Sequence, residues 1–184
     1  KSYIGQFAHI QGQFRSYNAM QPDGSTKLML TVFTRDIKFF DAGEAYEVDV
    51  NKVVLDGFIC KRPVYRKTPF NREITDFLLA VNRSYNKSDY IPCISWGRNA
   101  RFCGKRSVGE NVRVTGRMQS RKYEKKLEDG TVLEKTAYEV SVSQIEINKE
   151  ESIACEGVEN AQDTTEVPVA AAAETPKDWF IHPT

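Results

Sequence analysis

The chain has 184 residues, 40% of them hydrophobic, enough for one good core with appendages. Its formal net charge of +1 hides a segregation: residues 50–149 carry 20 Lys and Arg against 11 Asp and Glu, residues 150–184 one Lys against 8 acids, and residues 1–49 5 bases against 6 acids. A basic body with an acidic tail suits a polyanionic ligand, while four scattered cysteines and two histidines near opposite ends (His9 and His182) offer no zinc-type cluster. No stretch approaches the ~18 apolar residues of a membrane span, and no secretory signal is recognisable.

In chain order, residues 1–49 read as a strand, a polar bend at Asp23-Gly24 and a second strand, with Phe14, Leu28, Leu30 and Val32 in need of burial. A lone hairpin is rarely stable, so this one must pack on the body, on a second subunit or on residues upstream. The body opens with a strand over Val50–Ile59, and Pro63 and Pro69 punctuate the connection that follows. Ile74–Asn82 is a second strand with Phe77, Leu79 and Val81 on one face. Tyr90–Gly97 is a third. A short helix at Asn99–Lys105 has Asn99 placed to cap it and Phe102 able to close a barrel end. Asn111–Tyr123 is the fourth strand, Asp129-Gly130 a hairpin bend, and Ala137–Ile147 the fifth. In the fifth, the apolar parity switches between Val142 and Ile145, which predicts a bulge or an edge exit.

Five strands with a small helix between the third and fourth is the layout of an OB-fold barrel. The expected fold is therefore all-β: an N-terminal β-hairpin extension (1–49), a barrel (50–149) and a disordered acidic tail (150–184). The tail is low in complexity apart from its tip, Asp178-Trp179-Phe180-Ile181-His182-Pro183, which reads as a docking peptide or a frayed end. An internal repeat runs through the chain. Ile10, Gly12, Phe14, Ser16 and Tyr17, then Asp23-Gly24, then Leu28, Leu30, Val32 and Ile37, echo a later passage. That passage holds Val114, Gly116, Met118, Ser120 and Tyr123, then Asp129-Gly130, then Tyr138, Val140, Val142 and Ile145.

The chemistry concentrates in two alternating runs. Tyr90, Ile94 and Trp96 share a side, opposite Ile91, Cys93 and Ser95, so Cys93 reads as a small core residue and a free thiol. Val112, Val114, Gly116 and Met118 share a side, opposite Arg113, Arg117, Gln119, Arg121 and Tyr123. Rings stack on bases while guanidiniums hold phosphates, the requirements of a single-strand nucleic-acid binder. A strand Trp more often packs than binds, but Trp96 lies opposite Cys93, which favours an outward ring. Burying Tyr123 would bury the arginines that alternate with it. No catalytic set is placeable, since neither His lies in the body. An OB-fold interaction or assembly module and a single-stranded RNA binder stand as the other readings.

These segments resemble the bacterial single-stranded DNA-binding proteins. The resemblance rests on Val50-Asn-Lys-Val-Val-Leu-Asp-Gly57 as opening strand, Phe77–Arg83 as second, and Asp89-Tyr-Ile-Pro-Cys-Ile-Ser-Trp-Gly-Arg-Asn-Ala100 as third strand and helix start. Val108-Gly109 and Val112–Tyr123 complete it as the fourth, collinear over residues 50–147. It implies non-enzymatic binding and protection of single-stranded DNA in replication, recombination or repair, without a cofactor. Base-stacking positions fall on Tyr85, Tyr90, Trp96 and Tyr123, and phosphate positions on Arg83, Arg98, Arg117, Arg121 and Lys122. A homo-oligomer (tetramer or dimer) in the cytoplasm, associated with the nucleoid, is implied as well. So are replication and repair partners recruited through the tail, although this tail ends Trp-Phe-Ile-His-Pro-Thr rather than in the family's dense acidic cluster and Pro-Phe.

Overall fold

The computed structural model describes residues 3–41, 50–126 and 130–148. The expected disorder of the tail, its Trp179–Pro183 tip, and Asp129 of the predicted bend all lie outside those residues. Eight strands and one helix follow in order: β1 (Phe7–Met20), β2 (Thr26–Phe40), β3 (Val53–Ile59), β4 (Val64–Lys67), β5 (Glu73–Arg83), β6 (Lys87–Trp96), α1 (Gly97–Cys103), β7 (Asn111–Lys126) and β8 (Val132–Ile147). The body sheet runs β3-β7-β8-β6-β5-β4, and a further β3–β5 pairing closes β3, β7, β8, β6 and β5 into a five-stranded barrel. Every pairing is antiparallel except β6 with β8. The expected barrel is present, with the helix between its third and fourth strands.

Alternation dictates what lies inside. Phe77, Leu79, Ile91, Cys93, Val112, Val114, Val140 and Val142 form the core with Leu55 and Ile59, and most of them are fully buried. The parity switch expected in the fifth strand is a bulge: Thr115 pairs Gln144, but Gly116 pairs Val142, leaving Ser143 extra. Gly116 is required there, because a Cβ would run into the Ser141 carbonyl.

The helix departs from expectation. It begins at Gly97, whose φ of +54° turns the chain straight out of β6, so the N-cap position falls on Trp96 and no side chain caps it. Asn99 lies inside the helix, and its amide donates to the Ser143 carbonyl at 2.8 Å, tying α1 to the bulge. Ala100 and Cys103 are the buried residues of the helix, whereas Phe102 stays partly exposed beneath Arg106, 4.5 Å from its ring centroid. The bracket of Pro63 and Pro69 also conceals a strand, β4, which pairs along β5 from Val64–Asp76 to Lys67–Glu73.

Burial pushes the Cys93 and Cys103 thiols up and raises Cys60 to about 11. Thiolate is the reactive form, so Cys93 and Cys103 are expected to resist iodoacetamide at pH 8 until denaturant is added. Peptide mass mapping checks this, and rapid labelling of both in native protein would contradict the packing.

The β1–β2 hairpin forms its own two-stranded sheet, bulged at Gly12. It sits on the body through Ser16. The Ser16 amide donates to the Asp89 carboxylate at 2.7 Å, and the Tyr90 amide donates to Ser16 Oγ at 2.7 Å. Phe14 and Leu30 pack beside the barrel core, so of the three supports weighed from sequence, the body supplies one.

Candidate nucleic-acid interface

Residues paired across a sheet share a face, so the register fixes which side chains meet. Trp96 pairs with Ile74, Asp76 with Ile94, Ile94 with Ser141, and Ser141 with Arg117. Tyr90 pairs with Ala80, Gln119 with Glu139, Arg121 with Ala137, and Tyr123 with Lys135. Tyr90, Trp96, Arg117, Arg121 and Tyr123 therefore lie on one outward face spanning β5, β6, β8 and β7. Ile94, on that face, is buried at 1% exposure, whereas Trp96 is 40% exposed at the strand end. Arg98, in α1 immediately beyond Trp96, and Arg117 both face solvent.

The other predicted residues distribute differently. Tyr85 stands 93% exposed at the β5–β6 turn with φ +64°. Arg83 lies on the opposite side of β5, in register with Val81 and Leu79, and its Nε meets Asp89 at 3.0 Å. It thus supports the carboxylate that seats the hairpin. Lys122 falls on the parity of Met118 and pairs with Glu134 at 2.8 Å near the hairpin tip, both groups well exposed. Such surface pairs contribute little and open readily to a competing phosphate.

Arg121 is the most constrained of the set. Its Nε donates to Glu139 at 2.9 Å, and its guanidinium reaches within 3.8 Å of Asp76, which Arg66 also holds at 2.9 Å. Gln119 donates to the same Glu139 oxygen at 2.8 Å. Burial raises the Asp76 carboxyl above its ordinary range, with Arg66 and then Arg121 opposing that shift. At the start of β7, on the same outward face, Arg113 grips Asp56 of β3 through two bonds of 2.8 and 3.0 Å, which holds that carboxyl below its usual range. The free cationic surface is consequently narrower than the arginine count suggests. Asp76 and Glu139 are the site residues that the alternation pattern alone missed. Their signal was an acidic residue at an outward position on each of two strands of a basic body.

Among the described residues, no group of three His, Cys, Asp or Glu side chains is placed to hold a metal ion. No helix among them is long and apolar enough to cross a membrane. The outward face presents flat rings and a few solvated cations on a rigid barrel, which is a surface for a ligand with planar and anionic parts.

A closed five-stranded barrel carrying such a face defines an OB-type binding module. The single-strand binding protein family matches residues 50–148, just over half of the chain, and the chain belongs to that family. It is 38% identical over 89 residues to a single-stranded DNA-binding protein of Clostridium tetani, covering 45% of this chain and 60% of that one. It is 37% identical over 82 residues to single-stranded DNA-binding protein A of Bacillus subtilis, covering 41% of this chain and 48% of that one. The chain thus spans about half to three fifths of the length of these curated relatives. The crystal structure of the wild-type single-stranded DNA binding protein from Thermus aquaticus superimposes with a TM-score of 0.61 at 19% identity. That superposition covers 87% of this chain and 64% of that one, and it shows a shared fold.

Proposed function

We propose that this protein binds single-stranded DNA with little sequence preference and protects it during replication, recombination or repair, by stacking and phosphate contact rather than catalysis. The observation that carries this reading is Trp96, 40% exposed on an outward face that also holds Arg117 and Tyr123. Family membership supports it. Tyr90, Tyr85 and Tyr123 extend the stacking surface, and Arg98 and Arg117 are the phosphate partners nearest to Trp96. Lys122 and Arg121 join them once their ion pairs exchange for phosphate, and Arg83 keeps a positioning role under the hairpin. A homo-oligomer in the cytoplasm, associated with the nucleoid and with partner proteins docked on the tail, completes the proposal.

Titration with oligo-dT, a matched RNA and duplex DNA tests this. Each neutralised phosphate on a single strand contributes a slope of about −0.7 to log K against log salt, so Arg98, Arg117, Arg121 and Lys122 together predict a slope of about −3. Affinity that ignores salt, or equal binding to duplex, would overturn the mechanism. Equal affinity for the RNA would widen the ligand to any single strand, and no binding to any strand would favour a protein-docking module.

A further inference from the structure

Pro69 and Asn71 dictate a tight turn between β4 and β5. Pro69 presets φ for the second position of a β-turn, and Asn71 tolerates a left-handed φ of +58°. The Asn71 amide donates to the Thr68 carbonyl at 2.8 Å, the Thr68 amide to the Arg72 carbonyl at 2.9 Å, and the Arg72 amide to Thr68 Oγ1 at 3.1 Å. The base of the turn is braced as well. Glu73 accepts a hydrogen bond from the Tyr65 hydroxyl at 2.7 Å and meets Arg101 of α1 at 3.3 Å. This well-tied turn carries Phe70 at its tip, 87% exposed.

A singly exposed apolar side chain needs no explanation, but the setting of this one calls for one. Lys67 and Arg72, on either side of it, are exposed and enter no ion pair among the described residues. Glu73, opposite Lys67 in register, is already engaged by Tyr65 and Arg101. The turn also continues the outward face. Trp96 pairs with Ile74 and Ile74 with Arg66, so the three form a row across β6, β5 and β4, and the turn opens at Thr68 just beyond Arg66. Two strand spacings, about 10 Å, separate Trp96 from β4. β4 is the edge strand on the side of β6 away from β8 and β7, the strands that carry Arg117 and Tyr123.

We propose that Phe70, with Lys67 and Arg72, is a further stacking platform for single-stranded nucleic acid. It takes a strand held at Trp96 across β5 and over the β4 edge. The inference rests on the binding function proposed above and lengthens its path in a second direction. A ring flanked by solvated cations is the chemistry that bases and phosphates require, and a turn already fixed by its own hydrogen bonds loses little freedom when a base stacks on it. The barrel has no structural need of the ring, which buries almost nothing.

The test measures the affinity of the full chain for oligo-dT of about 8 and about 16 nucleotides, both within the range of one barrel's site. Phe70→Ala is expected to weaken the longer strand about fivefold, the lower end for a base–aromatic stack, and to leave the shorter one nearly unmoved. Phe70→Trp keeps a ring and should bind like the parent. Lys67→Ala and Arg72→Ala should each flatten the slope of log K against log salt by about 0.7 on the longer strand. Melting temperature should hold in all four variants, since each side chain is exposed. An unchanged affinity of Phe70→Ala for the longer strand, or an equal loss on both strands, overturns the platform while the parent's binding at Trp96 stands. A parent that binds neither strand removes the binding function itself. A Phe70→Ala protein whose sedimented mass falls in the absence of DNA would assign the ring to a subunit contact instead.

Discussion

Trp96→Ala is expected to weaken oligo-dT binding by roughly 5- to 150-fold, the range that a base–aromatic stack of ~1–3 kcal/mol implies. Melting temperature should stay close to that of the parent. Trp96 is 40% exposed, its φ and ψ of −125° and 147° are extended backbone that alanine adopts freely, and its position at the start of α1 involves no side-chain cap. A ring that instead braced the barrel would cost about 3–5 kcal/mol of stability on truncation, with binding lost only through unfolding. Affinity and melting measured on the same sample separate the two cases. Affinity is read from the anisotropy of a labelled oligo-dT, because Trp96→Ala removes the ring whose quenching would otherwise report binding. Normal binding by a folded Trp96→Ala protein would remove the residue from the interface.

Glu139→Ala is expected to act in the opposite sense, on stability rather than on affinity. Glu139 is only 4% exposed and accepts hydrogen bonds from Gln119 and Arg121. Removing one partner of a fully buried pair typically costs ~3–5 kcal/mol because the other charge is stranded. Arg121 is 28% exposed and can turn outward to water, so a loss of roughly 2–3 kcal/mol is expected, read as a lower denaturant midpoint at unchanged m-value. The released guanidinium then faces the surface that carries Trp96, so oligo-dT affinity at low salt should hold or rise. Glu139→Gln keeps an acceptor and most of the shape, and a far smaller destabilisation by Gln would assign the effect to lost bonding and packing rather than to charge. Affinity that falls in step with stability in both variants would mean that Arg121 never contacts the ligand.

Strand order and barrel closure were legible in the sequence because alternation has a period of two and the barrel buries one face of every strand. Cys93 inside and Trp96 outside followed from parity alone, and so did the bulge beside Val142. What parity could not reveal was pairing between charges. Arg83, Arg113 and Arg121 look alike as basic residues on strands, yet each is committed to a carboxylate on the adjacent paired strand: Asp89, Asp56 and Glu139. Only the pairing register, which alternation within one strand does not reveal, brings those partners into reach. The helix boundary was misplaced for a local reason. Asn99 has the chemistry of a cap, but a left-handed Gly97 starts the helix two residues sooner and frees the Asn99 amide to hold the bulge. β4 was hidden because four residues between prolines carry no periodicity to read.

The single parallel pairing, β6 with β8, has a temporal consequence. Parallel neighbours cannot be joined by a tight turn, and here the intervening chain holds α1 and all of β7. While the polypeptide emerges from the ribosome, β5 and β6 can zip locally, but the free edge of β6 waits for Val140–Val142, far along the chain from the start of β3 at Val53. The barrel therefore closes in one late, non-local event, and until then an apolar strand edge is open to pairing with a neighbouring nascent chain. Slow synthesis or a stall before Ser141 prolongs that interval, making the last strand the one whose timely arrival decides between a closed monomer and an aggregate.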